Sequence, residues 1–329
     1  MQLSYEQKRA YRRKLMHARR LLSRNLTAFQ SPELFSLPEN AVLARDRGVG
    51  FLPTFQRVWP NLDAFLQTPR TGKGVHSIWH NGLPIDFQVT RRRADVLLVV
   101  FHGALEPKAT LPIFPGANVA RGLNVARLAF TDPSLYLSPD LPLAWHAGNI
   151  HQPDLQDVYT QIIRKVANSV KAKRLILFGS SGGGFASLVQ AATIPQATAV
   201  IANAQTDALL YHPDHVQTYI DLAWEGDREA FITAGSHSAI AKIRHTGQVP
   251  RVLYMQNSTD SFHIKAHLNP FVREFGQDPE MKLLFGDWGE GHIAPPKDLF
   301  HATLKAVVEN DPLALDMLGF TPASSYTPE

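Results

Sequence analysis

Short, uninterrupted apolar runs alternate with segments of helical periodicity through the central part of the chain. The run from Val96 to Phe101 is typical of a strand that is buried on both faces of a parallel sheet. Comparable runs follow at 125–130, 174–179, 197–203, 251–257 and 281–286. Strands that alternate with helices predict an α/β fold with a doubly wound, mostly parallel sheet and helices on both faces.

Two local patterns add detail to this sheet. Asn81-Gly82 lies between two runs rich in β-forming residues and predicts an antiparallel hairpin at the N-terminal edge of the sheet. Between Leu155 and Val170, apolar residues recur every three or four positions and predict a helix. A second helix is predicted over 183–194, after the run at 174–179.

The same patterns divide the chain into three parts. Residues 1–72 are predicted to be a basic helix followed by an extension, residues 73–312 the α/β domain, and residues 313–329 a C-terminal tail. The last part of this tail, residues 321–329, is expected to be frayed. Residues 206–247 lack strand character and predict inserted helices, which could be a lid over the strand ends or a structural insertion without gating. The expected apolar face of this insertion is Tyr219, Leu222 and Ala223.

The composition excludes several kinds of chemistry. The 329 residues are 44% hydrophobic, enough for a sizeable core, and include no cysteine. Disulfides, thiol catalysis and cysteine-bound zinc or iron–sulfur centres are therefore excluded. Since no apolar run reaches the roughly 18 residues of a membrane span, and the N-terminus is too charged for a secretory leader, we expect a cytoplasmic protein.

The net charge of +4 is unevenly distributed. Residues 1–24 hold eight of the 33 Lys and Arg residues and a single acid, a net charge of +7 that leaves the rest of the chain at −3. A nucleic-acid groove spread over the fold is therefore not expected. The basic segment carries apolar residues at helical spacing, so it could contact an anionic membrane surface or a protein partner, or be a solvated terminal helix.

A glycine-rich turn with two serines, Gly179-Ser180-Ser181-Gly182-Gly183, follows the run at 174–179. A phosphate cradle would need a lysine after the glycines or a GxGxxG fingerprint near the first strand, and the turn has neither. It could be a structural turn without chemistry. The third interpretation is a nucleophile elbow, GxSxG, whose small residues let strand and helix approach closely and whose register selects Ser181, not Ser180.

A serine nucleophile needs a base and an orienting acid, which follow an elbow in the order Ser, Asp or Glu, His. Asp260 comes just after the run at 251–257, and His292 lies in the loop after the run at 281–286, so both are at predicted strand ends in that order. Asp207, after the preceding strand, is the alternative acid. Asp287 flanks a glycine turn and is expected to be solvated.

Backbone N–H groups that stabilise a developing negative charge complete such a site. Gly182 directly follows the serine and is one expected donor. The other is expected in the loop His102-Gly103-Ala104 after Phe101, with Ala104 preferred and Gly103 as the alternative. His102 is expected to shape this loop because it precedes the nucleophile.

From about residue 74 to 309, the chain resembles the α/β-hydrolase superfamily. The resemblance is carried by HGA, GSSGG, STD and GEGH, which occur in the order of that superfamily's oxyanion loop, elbow, acid loop and histidine loop. It implies a Ser-His-Asp mechanism in which Ser181 attacks, His292 relays the proton and Asp260 orients His292. The triple glycine and the loop QNSTDSFHIKAH also resemble hydrolase-like proteins associated with bacterial surface-polysaccharide systems.

Other side chains near these loops have two interpretations each. His263 and His267 share a helical face with Asp260 and could bind a metal, but ordinary hydrogen bonds are favoured without an HExxH pattern, and we expect no metal or cofactor. Phe262 and Trp288 could line a substrate pocket or pack in loops, as could Trp145 and Tyr211 with less support.

Three functions fit these residues. The first is a serine hydrolase that cleaves a carboxylic ester of a small molecule or glycan through an acyl-enzyme. The second uses the same residues to transfer the acyl group to an alcohol, such as a glycan hydroxyl. The third is a non-catalytic scaffold that docks through its basic N-terminus.

Overall fold

The structure is a computed structural model that describes residues 37–48, 56–90, 93–106 and 109–328. The predicted basic helix at 1–24 lies outside the described residues. Among the described residues, those from Asn40 onward form one compact unit. Residues 40–72, which the sequence analysis assigns to the N-terminal extension, belong to the same compact unit as the α/β domain.

A ten-stranded mixed sheet forms the centre of the described part of the chain, in the order β1-β2-β3-β5-β4-β6-β7-β8-β9-β10. Its strands are β1 (Gln56–Trp59), β2 (Gly74–His80), β3 (Leu83–Val89), β4 (Val96–Val100), β5 (Ala126–Phe130), β6 (Arg174–Ser180), β7 (Thr198–Ala202), β8 (Arg251–Asn257), β9 (Met281–Gly286) and β10 (Thr321–Pro322). Six neighbouring strands run parallel, namely β5, β4, β6, β7, β8 and β9. β3 is antiparallel to both β2 and β5. The predicted mostly parallel sheet is confirmed.

Helices connect these strands. They are α1 (Leu62–Leu66), α2 (Leu155–Val170), α3 (Gly182–Thr193), α4 (Pro213–Ala223), α5 (Arg228–Thr233), α6 (Ala239–Thr246), α7 (Ser261–His263), α8 (Asn269–Phe275), α9 (Lys297–Glu309) and α10 (Pro312–Met317). A π-helical segment, Ile264–Leu268, joins α7 to α8. Both helices predicted from periodicity or position, α2 and α3, are present.

The two faces of the sheet bury separate cores, as β4 illustrates. Leu97 and Val99 belong to one cluster, which also contains the buried faces of α2 and α3, whereas Val96, Leu98 and Val100 belong to the other, with the buried face of α9. Successive residues of a strand point to opposite faces, so a strand buried on both has to be apolar throughout. Helices therefore cover both faces, as predicted.

The predicted hairpin joins β2 to β3 through Asn81 and Gly82. Both residues have positive φ, 47° and 84°, as a two-residue turn matched to the twist of a hairpin requires. The hairpin is not the edge of the sheet, because β1 pairs with β2 in parallel outside it. The four residues of β1 are all only half-buried, so they carry no continuous apolar signal.

The insertion at 206–247 is helical, as predicted, and comprises α4, α5 and α6. Tyr219 and Ala223 are buried, but Leu222 is 36% exposed, so the prediction is wrong for Leu222. The hydroxyl of Tyr219 donates to the Gly148 carbonyl oxygen at 2.5 Å. Buried residues of all three helices belong to the first core cluster, so this segment is part of the core.

The C-terminal segment is ordered into elements, which contradicts the predicted frayed tail. α10 is followed by β10, which pairs antiparallel with β9. Ala323 is fully buried, and the Tyr326 hydroxyl bonds to Asn269 Oδ1 at 2.8 Å. The C-terminal segment is rich in proline, serine and threonine, so its sequence has no apolar pattern that would predict this packing. Among the described helices, none combines the length and apolarity needed to cross a bilayer.

Candidate active site

Ser181 lies in the sharp turn between β6 and α3. Its backbone has φ 56° and ψ −124°, a region that residues with a side chain rarely adopt. The turn is held by its surroundings, since the Ser181 amide donates to the Ala202 carbonyl at 2.9 Å and its carbonyl accepts from Gly184 at 3.0 Å. The half-buried side chain consequently stands at the carboxyl edge of the sheet, beside the first turn of α3.

The glycines around Ser181 allow three close approaches of the backbone. A Cβ on Gly179 would lie 2.2 Å from the Gly183 carbonyl oxygen, and one on Gly183 would lie 2.4 Å from the Phe101 carbonyl oxygen. A Cβ on Gly184 would lie 2.6 Å from the Cβ of Ala204. All three distances are far inside van der Waals contact, so each position requires glycine. Gly184, which the elbow pattern leaves unexplained, is thus needed where α3 passes the loop after β7.

Asp260 and His292 are brought together from two loops. Asp260 begins α7 just beyond β8, and its Oδ2 lies 2.6 Å from Nδ1 of His292. Asp260 is 4% exposed, whereas the His292 side chain is 35% exposed. Burial alone would raise the pKa of Asp260, but hydrogen bonds from His263 and His292 hold that pKa well below its usual range.

The loop that carries His292 is held by two asparagines that the sequence did not single out. The Asn257 side-chain amide donates to the carbonyls of Gly289 at 2.8 Å and Gly291 at 2.6 Å. The Asn203 side chain donates to the Ile293 carbonyl at 2.8 Å and accepts from the Asn257 amide at 2.7 Å. Since Asn257 ends β8 and Asn203 directly follows the neighbouring strand β7, the sheet itself fixes the histidine loop.

A second hydrogen-bonded path runs from Asp260 to Ser181. His263 Nδ1 lies 2.9 Å from Asp260 Oδ1, and His263 Nε2 lies 2.9 Å from Nε2 of Gln205. The same Gln205 nitrogen donates to Ser181 Oγ at 2.9 Å. Gln205 and His263 are 0% and 1% exposed. Within the described residues, the Ser181 hydroxyl is thus bonded to Gln205, and no hydrogen bond joins it to His292.

The two imidazoles that share Asp260 are stacked. The ring centroids of His263 and His292 are 3.9 Å apart, with their planes inclined by 16°. Burial lowers the pKa of His263, an effect to which the neighbouring His292 adds and which the bond to Asp260 opposes. His263 is therefore held neutral, with Nδ1–H donating to Asp260 and Nε2 accepting from Gln205.

Asp260, His263 and His292 lie close enough together to be compared with the ligands of a metal ion. Their candidate ligand atoms lie within 4.8 Å of one another. Two ligands of a tetrahedral zinc ion, each about 2.0–2.1 Å from the metal, lie about 3.3 Å apart. Nδ1 of His292 and Nδ1 of His263 lie 2.6 and 2.9 Å from Asp260 Oδ2. These distances are hydrogen-bond lengths and are shorter than the spacing between two ligands of one zinc ion. His267 lies apart from this group, where its Nδ1 accepts from the Thr206 amide at 3.3 Å.

The loop His102-Gly103-Ala104 runs beside the elbow. A Cβ on Gly103 would lie 3.4 Å from the Cβ of Ser181 and 3.7 Å from the amide nitrogen of Gly182. His102 is held at both ring nitrogens, by the Gly103 carbonyl at 2.7 Å and the Asp132 amide at 3.1 Å, and burial lowers its pKa to about 4. It is a neutral residue that shapes the loop.

The structure places the remaining candidate residues in different surroundings. Asp207 accepts from the Leu209 amide at 2.9 Å and caps the short helix Ala208–Leu210, with no described bond to His292. Phe262 packs edge-on against Tyr211 and stacks on His212, with a centroid distance of 4.1 Å for the stack. Trp288 instead packs against the core on the other face of the sheet, and Trp145 is buried. The structure therefore does not bring Trp288 and Phe262 together.

Solved structures show what the chain is similar to. It matches the capsule O-acetyltransferase of Neisseria meningitidis serogroup A with a TM-score of 0.56 and 17% identity, over 75% of this chain and 99% of that chain. A variant of that enzyme in complex with CoA matches with a TM-score of 0.53 and 16% identity, over 69% and 95% of the two chains. The glycosylation-associated protein complex Gap123 from Streptococcus agalactiae matches with a TM-score of 0.51 and 13% identity, over 71% and 46%.

At these identities the likeness concerns the fold. Neither a protein-family model nor a curated protein matches the chain. The sheet order, the strand–turn–helix at Ser181 and the solved structures together define the α/β-hydrolase fold, as the sequence resemblance implied.

Proposed function

We propose that the protein is a serine hydrolase that cleaves a carboxylic ester of a small molecule or glycan. Ser181 is its nucleophile, His292 its general base and Asp260 the acid that orients His292. The observation that supports this most is the backbone of Ser181, since such a conformation costs on the order of 1–3 kcal/mol and persists only where the surrounding structure imposes it.

The reaction proceeds through an acyl-enzyme. Ser181 Oγ attacks the carbonyl carbon while its proton passes to Nε2 of His292. The tetrahedral oxyanion accepts hydrogen bonds from the amide of Gly182 and from that of Ala104 or Gly103. The alcohol then leaves with the proton from His292, and water attacks the acyl group by the same steps in reverse, which releases the acid and restores Ser181.

The electrostatics of the turn favour this chemistry. Gly182 and Gly183 open α3, so their amides have no partner within the helix and point toward the carboxyl edge of the sheet. The positive end of the helix dipole lies at the same place and stabilises a developing negative charge.

Acyl transfer to an alcohol, such as a glycan hydroxyl, is the second candidate. It shares every step up to the acyl-enzyme and differs only in the molecule that attacks next. The comparison with the capsule O-acetyltransferase supports it, because the likeness extends over 99% of that chain.

Labelling with a fluorophosphonate tests the nucleophile. We expect wild-type protein to be labelled, Ser181→Ala to be unlabelled, and the adjacent Ser180→Ala to be labelled as wild type is. A wild-type protein that is neither labelled nor active on short p-nitrophenyl esters would contradict both candidates and favour a non-catalytic scaffold.

Product analysis separates the two candidates. Wild-type protein is incubated with an activated acyl ester and a saccharide acceptor, and with Ser181→Ala as the control. Free acid as the only new product favours hydrolysis, whereas acylated saccharide that depends on Ser181 favours transfer.

A further inference from the structure

The carboxylate of Asp260 accepts hydrogen bonds from two imidazoles, although a catalytic triad uses only one. His292 and His263 lie 2.6 and 2.9 Å from it. Because both imidazoles bond to Asp260, both are candidates for the base. Their rings are also stacked against each other. Their surroundings differ: His263 is 1% exposed and in contact with Gln205, while His292 is open to solvent.

Gln205 determines which of the two rings can accept the serine proton. Its Nε2 carries two hydrogens, and it lies 2.9 Å from both Ser181 Oγ and His263 Nε2. One hydrogen therefore occupies a lone pair of the serine oxygen, and the other occupies the only lone pair of the neutral His263 ring. His263 has no free nitrogen to receive a proton, whereas Nε2 of His292 has no hydrogen-bond partner in the described part of the chain.

We propose that Gln205 and His263 form a positioning arm that anchors the Ser181 hydroxyl to Asp260 and leaves His292 as the base. This inference rests on the proposed nucleophile. Because Gln205 Nε2 donates to Ser181 Oγ at 2.9 Å, the serine's own hydrogen points away from that nitrogen, either toward Gln205 Oε1, 3.4 Å from Oγ, or toward the base. The arm thereby restricts the rotation of the hydroxyl, and one carboxylate orients both the nucleophile and the base.

The stacking of the two rings supports this division of roles. When His292 takes up the serine proton, its cationic ring lies over the face of a neutral imidazole, which is an attractive arrangement for a cation and an aromatic ring. If His263 carried a proton as well, two like charges would lie 3.9 Å apart and repel each other. A neutral His263 held by Gln205 therefore keeps His292 basic.

Two variants interrupt the arm at different points. Gln205→Met keeps the approximate volume and removes both hydrogen bonds, and His263→Asn keeps a donor near Asp260 but cannot reach Gln205. His267→Asn is the matched control, because His267 is an equally buried histidine one helical turn away that bonds to Thr206 rather than Gln205. The readout is the second-order rate of fluorophosphonate labelling of Ser181 as a function of pH, with thermal unfolding measured for each protein.

We expect each arm variant to label 10- to 100-fold more slowly, the double variant to be no slower than the slower single one, and His267→Asn to stay within threefold of wild type. Gln205→Glu keeps the shape of the side chain but places a carboxylate beside Ser181 Oγ and His263 Nε2. It should label as slowly as Gln205→Met and give a pH profile that differs from the wild-type profile, which a loss of packing alone would not do. Arm variants that label within twofold of wild type, or whose effects multiply in the double variant, would overturn the arm while leaving the nucleophile intact. An unlabelled wild type would overturn the proposed function itself. A variant that does not fold is replaced by Gln205→Glu, whose slower labelling and altered pH profile carry the same information.

Discussion

Gly184 illustrates how much one missing methyl group decides near the proposed nucleophile. Glycine within a helix is about 1 kcal/mol less favourable than alanine, so Gly184→Ala would stabilise an exposed helix. Here the added Cβ would lie 2.6 Å from the Cβ of Ala204. We expect the overlap to dominate and Gly184→Ala to lower the free energy of unfolding by about 1–3 kcal/mol.

Urea unfolding measures this effect, and a second substitution identifies its cause. Adding Ala204→Gly removes the methyl group that the new side chain would meet, so the double variant should recover most of the lost stability. An unchanged or higher stability of Gly184→Ala would show that the helix moves away from the loop at little cost.

At the scale of residues, the sequence predicted Ser181, Asp260 and His292 but not the residues that connect them. Gln205 comes two residues after the run at 197–203, at the same sheet edge as the candidates, yet no spacing distinguishes it from any loop glutamine. His263 was considered only as a possible metal ligand or loop residue. Which side chains meet across three loops depends on the rotamers and loop paths, and these follow from tertiary packing.

The loop from Asp287 to Ile293 is the element whose order the site needs most. Asn257 is fully buried and bonds to the backbone of this loop at Trp288, Gly289 and Gly291. Asn257→Ala should release the loop, slow fluorophosphonate labelling at least tenfold and destabilise the fold by about 1–3 kcal/mol through unpaired backbone groups.

The control for Asn257→Ala is Asp287→Ala in the same loop. Asp287 is exposed and accepts one hydrogen bond, from the Gly289 amide at 3.1 Å, so its loss should change the labelling rate less than threefold. A wild-type labelling rate in Asn257→Ala would mean that the loop keeps His292 in place without the asparagine.

The elements that the sequence predicted best are those with the strongest burial. The strands β4 to β9 lie inside a sheet covered on both faces, where most positions are apolar and the runs are easy to recognise in the sequence. β1 and β10 lie at the edges, carry polar residues or proline, and are only four and two residues long. Their pairing depends on the neighbouring strand rather than on their own sequence.

The whole molecule should lose stability in mild acid because of its buried histidines. His76 is fully buried, stacks on Phe87 at 5.0 Å and donates from Nε2 to the Gly72 carbonyl at 2.8 Å. Burial lowers its pKa to about 4, with a smaller contribution from Arg57, against the bond to Gly72. Since the unfolded chain takes up this proton near pH 6.5, the unfolded state binds more protons between about pH 6.5 and 4, and stability falls as the pH falls.

Urea unfolding at pH 7 and pH 5 tests this expectation. The His76 term alone amounts to about 2 kcal/mol between these two values. His76→Phe should therefore be less stable than wild type at pH 7 through lost hydrogen bonds, but its decrease toward pH 5 should be smaller by about that amount. The exposed His245→Asn should retain the wild-type decrease, and an equal decrease in His76→Phe would assign the acid sensitivity elsewhere.

The backbone of Ser181 has a consequence for the balance between stability and reactivity. Glycine adopts a φ of 56° without strain, so the chain would fold more favourably with no hydroxyl at this turn. The protein therefore holds its proposed nucleophile at a position where the backbone tolerates a side chain poorly. Selection for thermal stability alone would favour the loss of Ser181, and a stabilised descendant obtained in that way would lack the proposed nucleophile.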